Sequence, residues 1–205
     1  MNGKFITFEG NDGCGKTTIS NRIYETLKAE GYDVIYTREP GGIRISEEIR
    51  SIILNPENTE MDGRTEALLY AAARRQHLIE KVIPALKEGK IVLCDRFVDS
   101  SLAYQGVARG LGIDEVYHVN EFAIDHHMPD ATIFLKVNCE VGLERIASRG
   151  KGDRLDQESE KFHRMVAQGY EEVVKRYPQR IHIVNAENDV ETVFQDTYKK
   201  IKELI

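Results

Sequence analysis

Apolar and polar positions follow two different spacings along the chain, and these spacings predict strands and helices in turn. Short β-branched and aromatic runs predict strands at 4–8, 33–37, 91–94, 131–137 and 181–184. Helical spacing of apolar residues predicts helices at 16–30, 45–54, 64–81, 114–126, 140–149, 158–177 and 190–204. Strands that alternate with helices predict an α/β fold, with a five-stranded parallel sheet between two helical layers. The chain contains no repeat or Pro/Ser-rich linker, so we expect one domain over residues 1–205.

The composition narrows the class of protein and its partners. With 41% hydrophobic and 30% charged residues, the chain has the make-up of an ordinary globular protein. Its 28 basic and 34 acidic residues give a net charge of −6, which argues against a nucleic-acid partner. The three cysteines lack CxxC spacing, so neither a disulfide framework nor a zinc site is expected. The longest apolar run, 67–73, is too short to span a bilayer, and no leader-like start is seen, so we expect a cytoplasmic protein without a membrane partner.

A glycine-rich motif follows the first predicted strand. It reads Gly10-Asn11-Asp12-Gly13-Cys14-Gly15-Lys16-Thr17, and Thr18 and a predicted helix come next. This is the G-x-x-x-x-G-K-[ST] pattern between a strand and a helix, the context that a phosphate-binding loop requires. In such a loop backbone N–H groups surround the phosphates, Lys16 approaches the β- and γ-phosphates, and Thr17 ligates Mg²⁺. The motif predicts a P-loop NTPase-type fold that binds ATP and Mg²⁺, although it does not by itself separate a kinase from a switch protein.

Two side chains inside this motif are weighed separately. Asp12 is a carboxylate beside an anion site, which suits contact with another ligand, such as a sugar hydroxyl, or a solvated loop acid. Cys14 lies near a helix N-terminus and Lys16, conditions that lower a thiol pKa, but we assign its side chain no role.

The ends of the second and third predicted strands carry polar residues. Asp95 and Arg96 follow the third strand, where ligands collect in open α/β sheets. They suit Mg²⁺ binding and a bidentate clamp on phosphoryl oxygens, with a surface salt bridge as the alternative. The second strand ends in Thr37-Arg38-Glu39-Pro40-Gly41-Gly42, a turn that suits a ligand or a plain sharp bend.

Two further segments have both a functional and a structural interpretation. Tyr70 and Arg74 lie one helical turn apart, so they suit stacking on a base and reading its edge. The pattern alone favours a core position for Tyr70. The segment 149–156, which has glycines beside three cations, favours a lid over phosphates, with a solvated loop as the alternative.

Taken together, the motifs resemble the thymidylate kinase family of bacterial type, among the P-loop nucleoside monophosphate kinases. The resemblance covers almost the whole chain. The motifs that carry it are Phe8-Glu9-Gly10, Thr37-Arg38-Glu39-Pro40-Gly41-Gly42, Arg64-Thr65-Glu66-Ala67-Leu68-Leu69-Tyr70, Asp95-Arg96-Phe97, Ser100-Ser101-Leu102-Ala103-Tyr104-Gln105-Gly106 and Arg154-Leu155-Asp156. The resemblance implies transfer of the γ-phosphoryl of ATP to dTMP, giving dTDP and ADP for dTTP biosynthesis. It implies a homodimer as well, to which 67–73 would contribute an interface or simply core. The alternatives are a kinase for another nucleoside monophosphate or for a deoxynucleoside, and a nucleotide-binding switch, which the absence of an N-K-x-D motif disfavours.

The resemblance also implies roles for individual residues. The implied acceptor-binding residues are Asp12, Glu39, Pro40, Arg50, Tyr70, Arg74, Arg96, Ser100, Ser101, Tyr104, Gln105 and Tyr170. Among them, Asp12 would contact the 3′-hydroxyl, Tyr70 would stack on thymine, and Arg74 would read its edge. The implied metal site is formed by Thr17, Asp95 and Glu39.

Two departures from the family pattern bear on these assignments. The stacking residue is usually Phe, and this chain has Tyr70. The loop has no arginine between Gly10 and Lys16, and family members of that kind place the catalytic arginine in the lid. That leaves Arg149 or Arg154, and both are predicted to bind ATP. Arg149 is the preferred catalytic candidate, beside the predicted catalytic residues Lys16, Arg96 and Asp12.

Overall fold

The computed structural model describes residues 3–147 and 152–205, and its sheet has the predicted architecture. The strands are β1 (Lys4–Glu9), β2 (Val34–Arg38), β3 (Ile91–Asp95), β4 (Ala131–Lys136) and β5 (Ile181–Asn185). They lie in the order β2-β3-β1-β4-β5, and each neighbouring pair is parallel. Every observed strand boundary lies within one residue of its prediction, because strands buried on both faces stand out as short apolar runs. The predicted fold class is confirmed.

Helices cover both faces of this sheet. They are α1 (Lys16–Ala29), α2 (Arg44–Leu54), α3 (Gly63–His77), α4 (Ile83–Lys87), α5 (Val98–Ser101), α6 (Ile113–Ile124), α7 (Cys139–Ala147), α8 (Glu160–Arg176) and α9 (Val190–Leu204). Two π-helical segments, Leu78–Val82 and Leu102–Ala108, continue α3 and α5 respectively. Within the described ranges, no helix is both long enough and apolar enough to cross a membrane.

The hydrophobic core has two parts, one on each face of the sheet. Along β1, Phe5 packs into the core beneath α5 and α8, and Ile6 packs into the core beneath α1 and α9. This alternation places Glu9 on the same face as Phe5, directed toward α5 and α8. Because all strands run in one direction, the residues that follow β1, β2 and β3 meet at one edge of the sheet.

The sequence did not predict the helical segments around Ile83–Lys87 and after Phe97. The first contains Pro84. Proline is tolerated in the first turn of a helix, but in a sequence it usually indicates that a helix ends. At the start of α5, the N–H groups of Phe97 and Ser100 donate to Glu9 Oε1 over 2.7 and 3.2 Å. A carboxylate 88 residues earlier in the chain therefore caps this helix, and no local sequence pattern announces it.

Candidate active site at the carboxyl ends of the strands

A cavity of about 470 Å³ lies at the carboxyl edge of the sheet, between the glycine-rich loop and α3. This volume falls in the range of small-molecule sites. The predicted site residues that line it are Asp12, Gly13, Gly15, Lys16, Thr17, Thr18, Glu39, Pro40, Arg50, Tyr70, Arg74, Asp95, Arg96, Ser100, Ser101, Tyr104 and Gln105. The fold thus brings the loop and the second set of predicted residues to a single cavity.

The glycine-rich loop has the backbone geometry of an anion cradle. Gly13 and Gly15 have left-handed φ angles of 79° and 89°, and a Cβ on Gly13 would lie 2.3 Å from the carbonyl oxygen of Gly142 in α7. Gly15 begins α1 without a side-chain cap from the described residues. The first N–H groups of α1 and the positive end of its dipole are therefore available to phosphate.

Lys16 lies over the loop, and other predicted loop residues face inward. Its ammonium donates to the carbonyl oxygens of Gly10 and Asn11 over 2.8 and 3.0 Å. Cys14 is buried in the core on the α1 side of the sheet, and its N–H donates to Asn11 O over 3.3 Å. Gly10, Asn11 and Cys14 thus form the body of the loop and do not line the cavity.

Thr17 and Asp95 provide oxygen donors at the loop end of the cavity. The Thr17 hydroxyl donates to Asp95 Oδ2 over 2.8 Å, and the Tyr36 hydroxyl donates to the same oxygen over 3.4 Å. Burial and the charge of Asp95 raise the pKa of Tyr36 to about 12, so Tyr36 remains a donor. Hydroxyl and carboxylate oxygens are the hard ligands that Mg²⁺ prefers. No group of three or more His, Cys, Asp or Glu in residues 3–147 and 152–205 could hold a metal ion.

Glu39 is predicted to be a metal ligand, and in the structure its carboxylate bonds to neighbouring side chains. It is 4% exposed, and its Oε2 accepts from Arg74 Nε over 2.7 Å. Its Oε1 bonds to His77 Nδ1 over 2.9 Å, and the other ring nitrogen of His77 bonds to Thr37. Because both carboxylate oxygens are committed to neighbouring side chains, this arrangement favours a role in positioning Arg74 over metal ligation.

Arg74 is held almost completely by protein groups at the far end of the cavity. Beside Glu39, its guanidinium donates to Ser101 Oγ over 3.2 Å, to Asn120 Oδ1, and to the Phe97 carbonyl over 3.0 Å. Within the described residues, every N–H of Arg74 has an acceptor except one on Nη2. Asn120 was not predicted, since it joins the site from α6, 46 residues along the chain.

Tyr70 lies one turn before Arg74 on α3 and has two kinds of neighbour. Its ring is half-buried against the core on the α8 side and lines the cavity as well. Tyr70 therefore packs against the core, as the pattern predicts, and also lines the cavity. Burial and the nearby Glu66 raise the pKa of Tyr70 above its ordinary value, so its hydroxyl stays neutral.

Arg96 lines the cavity and contacts several other side chains of the site. Its φ of 70° is left-handed, and its guanidinium donates to Ser100 Oγ and Tyr170 Oη over 3.1 Å each. It also forms an ion pair with Asp12, whose other oxygen accepts from Tyr104 over 2.5 Å. Burial raises the pKa of Asp12, but Arg96 and Lys16 outweigh it and hold that pKa at about 2.

Two further arginines, Arg38 and Arg50, line the cavity. Arg50 and Arg38 donate to the carbonyl oxygen of Pro40 over 2.9 and 3.1 Å. Burial and the positive charge of Arg38 lower the pKa of Arg50. Arg38 was not predicted as a site residue, although it lies within the quoted motif around Pro40 and lines the cavity. Together with Arg96, these side chains form a cationic surface suited to a phosphate.

Two buried side chains support Arg96 from behind the cavity. Tyr170 is 1% exposed and does not line the cavity, but its hydroxyl donates to Glu9 Oε2 over 2.9 Å. Glu9 Oε2 also accepts from the Ser100 hydroxyl over 2.6 Å. Burial and the charge of Asp99 raise the pKa of Glu9 to about 7, with partial compensation from Arg96. Glu9 belongs to a family motif, but the sequence predicts no role for it, because its partners lie far away along the chain.

The predicted lid segment divides into two parts. Arg149 lies outside the described residues. Arg154 is buried, and its Nε donates to the Ile53 carbonyl over 2.7 Å, while its Nη2 pairs with Glu66. Arg154 therefore ties residues 152–156 to α2 and α3 and does not line the cavity; Asp153 and Asp156 do line it.

Comparisons with known proteins agree with this geometry. The family model described as thymidylate kinase matches residues 8–197. The thymidylate kinase of Oceanobacillus iheyensis is 59% identical, and the alignment covers 100% of this chain and 92% of that protein. The thymidylate kinase of Geobacillus sp. is 57% identical, covering 100% and 99%. The crystal structure of thymidylate kinase from Ehrlichia chaffeensis superposes with a TM-score of 0.80 at 31% identity, covering 98% of this chain and 99% of that one. The match over most of the chain, the full-length relatives and the shared fold establish that this chain belongs to the thymidylate kinase family.

Proposed function

We propose that this chain transfers the γ-phosphoryl group of ATP to dTMP, giving dTDP and ADP, with Mg²⁺ bound beside the donor phosphates. The observation that carries this proposal is the single cavity that joins a phosphate loop to a second cationic cluster. A phosphoryl transfer between two nucleotides needs two phosphate sites within reach of one another.

The donor side is assigned to the glycine-rich loop. Lys16 exchanges its bonds to loop carbonyls for the β- and γ-phosphates, and the N–H groups at the start of α1 hold the same anion. Thr17 and Asp95 are the residues that would hold Mg²⁺, directly or through water. When bound, Mg²⁺ neutralises charge that develops on the phosphate oxygens.

The acceptor side is assigned to the residues around Arg96. Arg50 and Arg96 grip the dTMP phosphate, and Asp12 accepts a hydrogen bond from the 3′-hydroxyl. Tyr70 stacks on the thymine ring, and Arg74 and Gln105 read its edge, with Ser101 holding Arg74. Tyr104 is assigned to disfavour a ribose 2′-hydroxyl, and its bond to Asp12 supports this by fixing the ring beside the 3′-hydroxyl contact.

Catalysis then depends on position and charge. The phosphate of dTMP is already a competent nucleophile, so no side chain needs to act as a base. We assign the arginine that stabilises the transferred group to Arg149. Arg154 has its guanidinium committed to Glu66 and Ile53, which favours a positioning role for it.

A homodimer completes the proposal, and an exposed apolar surface supports it. On α3 and the π-helical segment after it, Leu68 and Ile79 are 58% and 47% exposed, on one side of the helix. Phe122 on α6 is 91% exposed, and the adjacent Ala123 carbonyl accepts from Arg75 of α3. Large exposed apolar side chains on two helices that pack together are a feature of interfaces between proteins. Sedimentation or light scattering of the purified protein would test it.

The catalytic proposal is tested by ADP release from ATP and Mg²⁺ with dTMP, dUMP, dCMP, UMP, AMP and GMP as acceptors. We expect fast turnover of dTMP, slower turnover of dUMP, and none with any acceptor after EDTA is added. Inert dTMP beside an active purine or ribonucleotide would overturn the acceptor assignment. Full activity in EDTA would overturn the metal assignment.

A further inference from the structure

Glu66 on α3 is a fully buried carboxylate shared by three side chains from distant parts of the chain. Its Oε1 accepts from Gln105 Nε2 over 2.8 Å and from Arg109 Nε over 3.2 Å. Its Oε2 accepts from Arg109 Nη2 over 3.0 Å and from Arg154 Nη2. The two arginines compensate its charge, and Arg109 is balanced in turn by Glu158 at 2.6 Å.

This arrangement determines which way the Gln105 amide faces. An ionised carboxylate only accepts hydrogen bonds, so the amide nitrogen must be directed toward Glu66 and the amide oxygen away from it. Burial raises the pKa of Glu66, but the bonds from Arg109 and Arg154 outweigh it and hold the pKa below its usual value. Gln105 is 1% exposed and lines the cavity. Its Oε1 accepts no hydrogen bond from the residues that the structure describes.

The neighbouring Arg74 offers the opposite polarity. Its remaining Nη2 N–H is a donor, because arginine has no acceptor to present. At this end of the cavity Arg74 therefore offers a donor and Gln105 offers an acceptor. The edge of thymine or uracil has the matching O4 acceptor and N3–H donor, whereas cytosine has the reverse pattern.

We propose that Glu66 is a specificity-determining positioning residue, which fixes the Gln105 amide with its oxygen toward the acceptor base and so excludes cytosine. This inference rests on the proposed function, since it deepens the assignment of a pyrimidine monophosphate to the cavity. The carboxylate acts through Gln105 and does not itself touch the base.

The test compares two acceptors that differ mainly in polarity, dTMP and 5-methyl-dCMP, since both carry the 5-methyl group. We expect wild-type protein to prefer dTMP strongly in kcat/KM. In Glu66→Gln the new amide can donate or accept, so the Gln105 amide is free to turn. We expect the preference for dTMP over 5-methyl-dCMP to fall about 10-fold but not to disappear, since Arg74 still discriminates. We expect kcat/KM for dTMP itself to fall by a smaller factor.

Arg109→Gln is the matched control, because it removes one partner of Glu66 but leaves the carboxylate and its bond to Gln105. We expect lower thermal stability and an unchanged preference for dTMP. An unchanged preference in a folded Glu66→Gln protein would overturn the inference, because a purely structural role lowers activity with both acceptors alike. If Glu66→Gln does not fold, Gln105→Leu tests the inference in its place. The preference for dTMP should fall if Gln105 supplies the acceptor, and an unchanged preference would overturn the inference. Wild-type protein that is inert with dTMP would instead refute the proposed function.

Discussion

Arg96 and Asp12 form an ion pair that joins the end of β3 to the phosphate loop. Both side chains are about one-fifth exposed, so the pair lies at the cavity wall with access to ligands. Their contact links the two halves of the site, because Asp12 belongs to the loop assigned to the donor phosphates and Arg96 to the cluster assigned to the acceptor. A change in either residue should therefore affect acceptor binding.

Arg96→Ala should lower kcat/KM for dTMP by at least about 10²-fold. The substitution removes the guanidinium that we assign to the acceptor phosphate and leaves Asp12 without its principal counter-charge. Arg96→Lys should recover only part of the loss, since an ammonium cannot replace the bidentate geometry. Steady-state kinetics would measure both, with Arg44→Ala as the control, since Arg44 is 75% exposed on the surface. Near-normal activity of Arg96→Ala would remove Arg96 from the site.

Asp12→Asn should reduce the preference of the protein for an acceptor that carries a 3′-hydroxyl. The comparison is between dTMP and 3′-deoxythymidine monophosphate, and we expect the ratio of their kcat/KM values to fall about 10-fold. If Asp12 only supports Arg96, activity with both acceptors falls equally and the assigned contact is wrong. Because the pKa of Asp12 is held at about 2, the carboxylate stays ionised, and we expect no loss of activity near pH 5 from this group.

Glu9 should make folding stability depend on pH in an unusual direction. Its pKa is raised from 4.5 to about 7, chiefly by burial, so the folded protein holds this proton more tightly than the unfolded chain does. The stabilisation from this group is fully present below about pH 4.5 and is lost as the pH rises through about 7, a change of roughly 3 kcal/mol. Glu9→Gln should lack this dependence.

Urea unfolding of wild type and Glu9→Gln between pH 5 and pH 8 would measure the effect. The difference between their free energies of unfolding should change with pH by roughly that amount. Glu57→Gln is the control, because Glu57 is exposed. Curves for Glu9→Gln and wild type that stay parallel across this range would show that Glu9 remains ionised in the folded protein.

The fold could be predicted because each strand is a short, nearly continuous apolar run, and the loop motif is local in sequence. Most of the residues that line the cavity could also be predicted, because they belong to motifs that are local in sequence. Glu9, Glu66 and Asn120 were given no role because their partners are tens of residues away, as with Asn120 and Arg74, separated by 46 residues. Arg154 shows a different limit: glycines and cations indicate a lid, but only the packed structure shows that this guanidinium is buried against Glu66.

Asp99 and Arg180 form a largely buried bidentate pair that holds α5 against the residue preceding β5. The guanidinium nitrogens of Arg180 donate to the two carboxylate oxygens over 2.7 Å each, and Asp99 is 1% exposed. Asp99→Asn should destabilise the protein by up to about 3 kcal/mol, because an arginine whose side chain is only 14% exposed loses its counter-charge. The bidentate pair of Arg176 and Asp114 is a matched control on the surface.

Asp114→Asn should cost less than about 1 kcal/mol, because exposed ion pairs contribute little. Chemical denaturation of the two variants measures the contrast. Equal small losses would mean that the Asp99 pair is solvated in solution. Because α5 also carries Ser100, which bonds to Arg96, Asp99→Asn should raise KM for dTMP as well.

The two candidate lid arginines should separate by the quantity that each substitution changes. Arg149→Ala should lower kcat by about 10³-fold or more, the scale expected for an arginine that stabilises a transferring phosphoryl group. Arg154→Met replaces the apolar stem of the arginine with an unbranched apolar side chain but removes the charge that pairs with Glu66. It should therefore lower the free energy of unfolding by several kcal/mol. We expect the kcat of folded Arg154→Met protein to stay within about 10-fold of wild type, because Arg154 does not line the cavity. A reversed result, in which Arg154→Met abolishes turnover at unchanged stability, would mean that this guanidinium leaves Glu66 during the reaction and is itself the catalytic arginine.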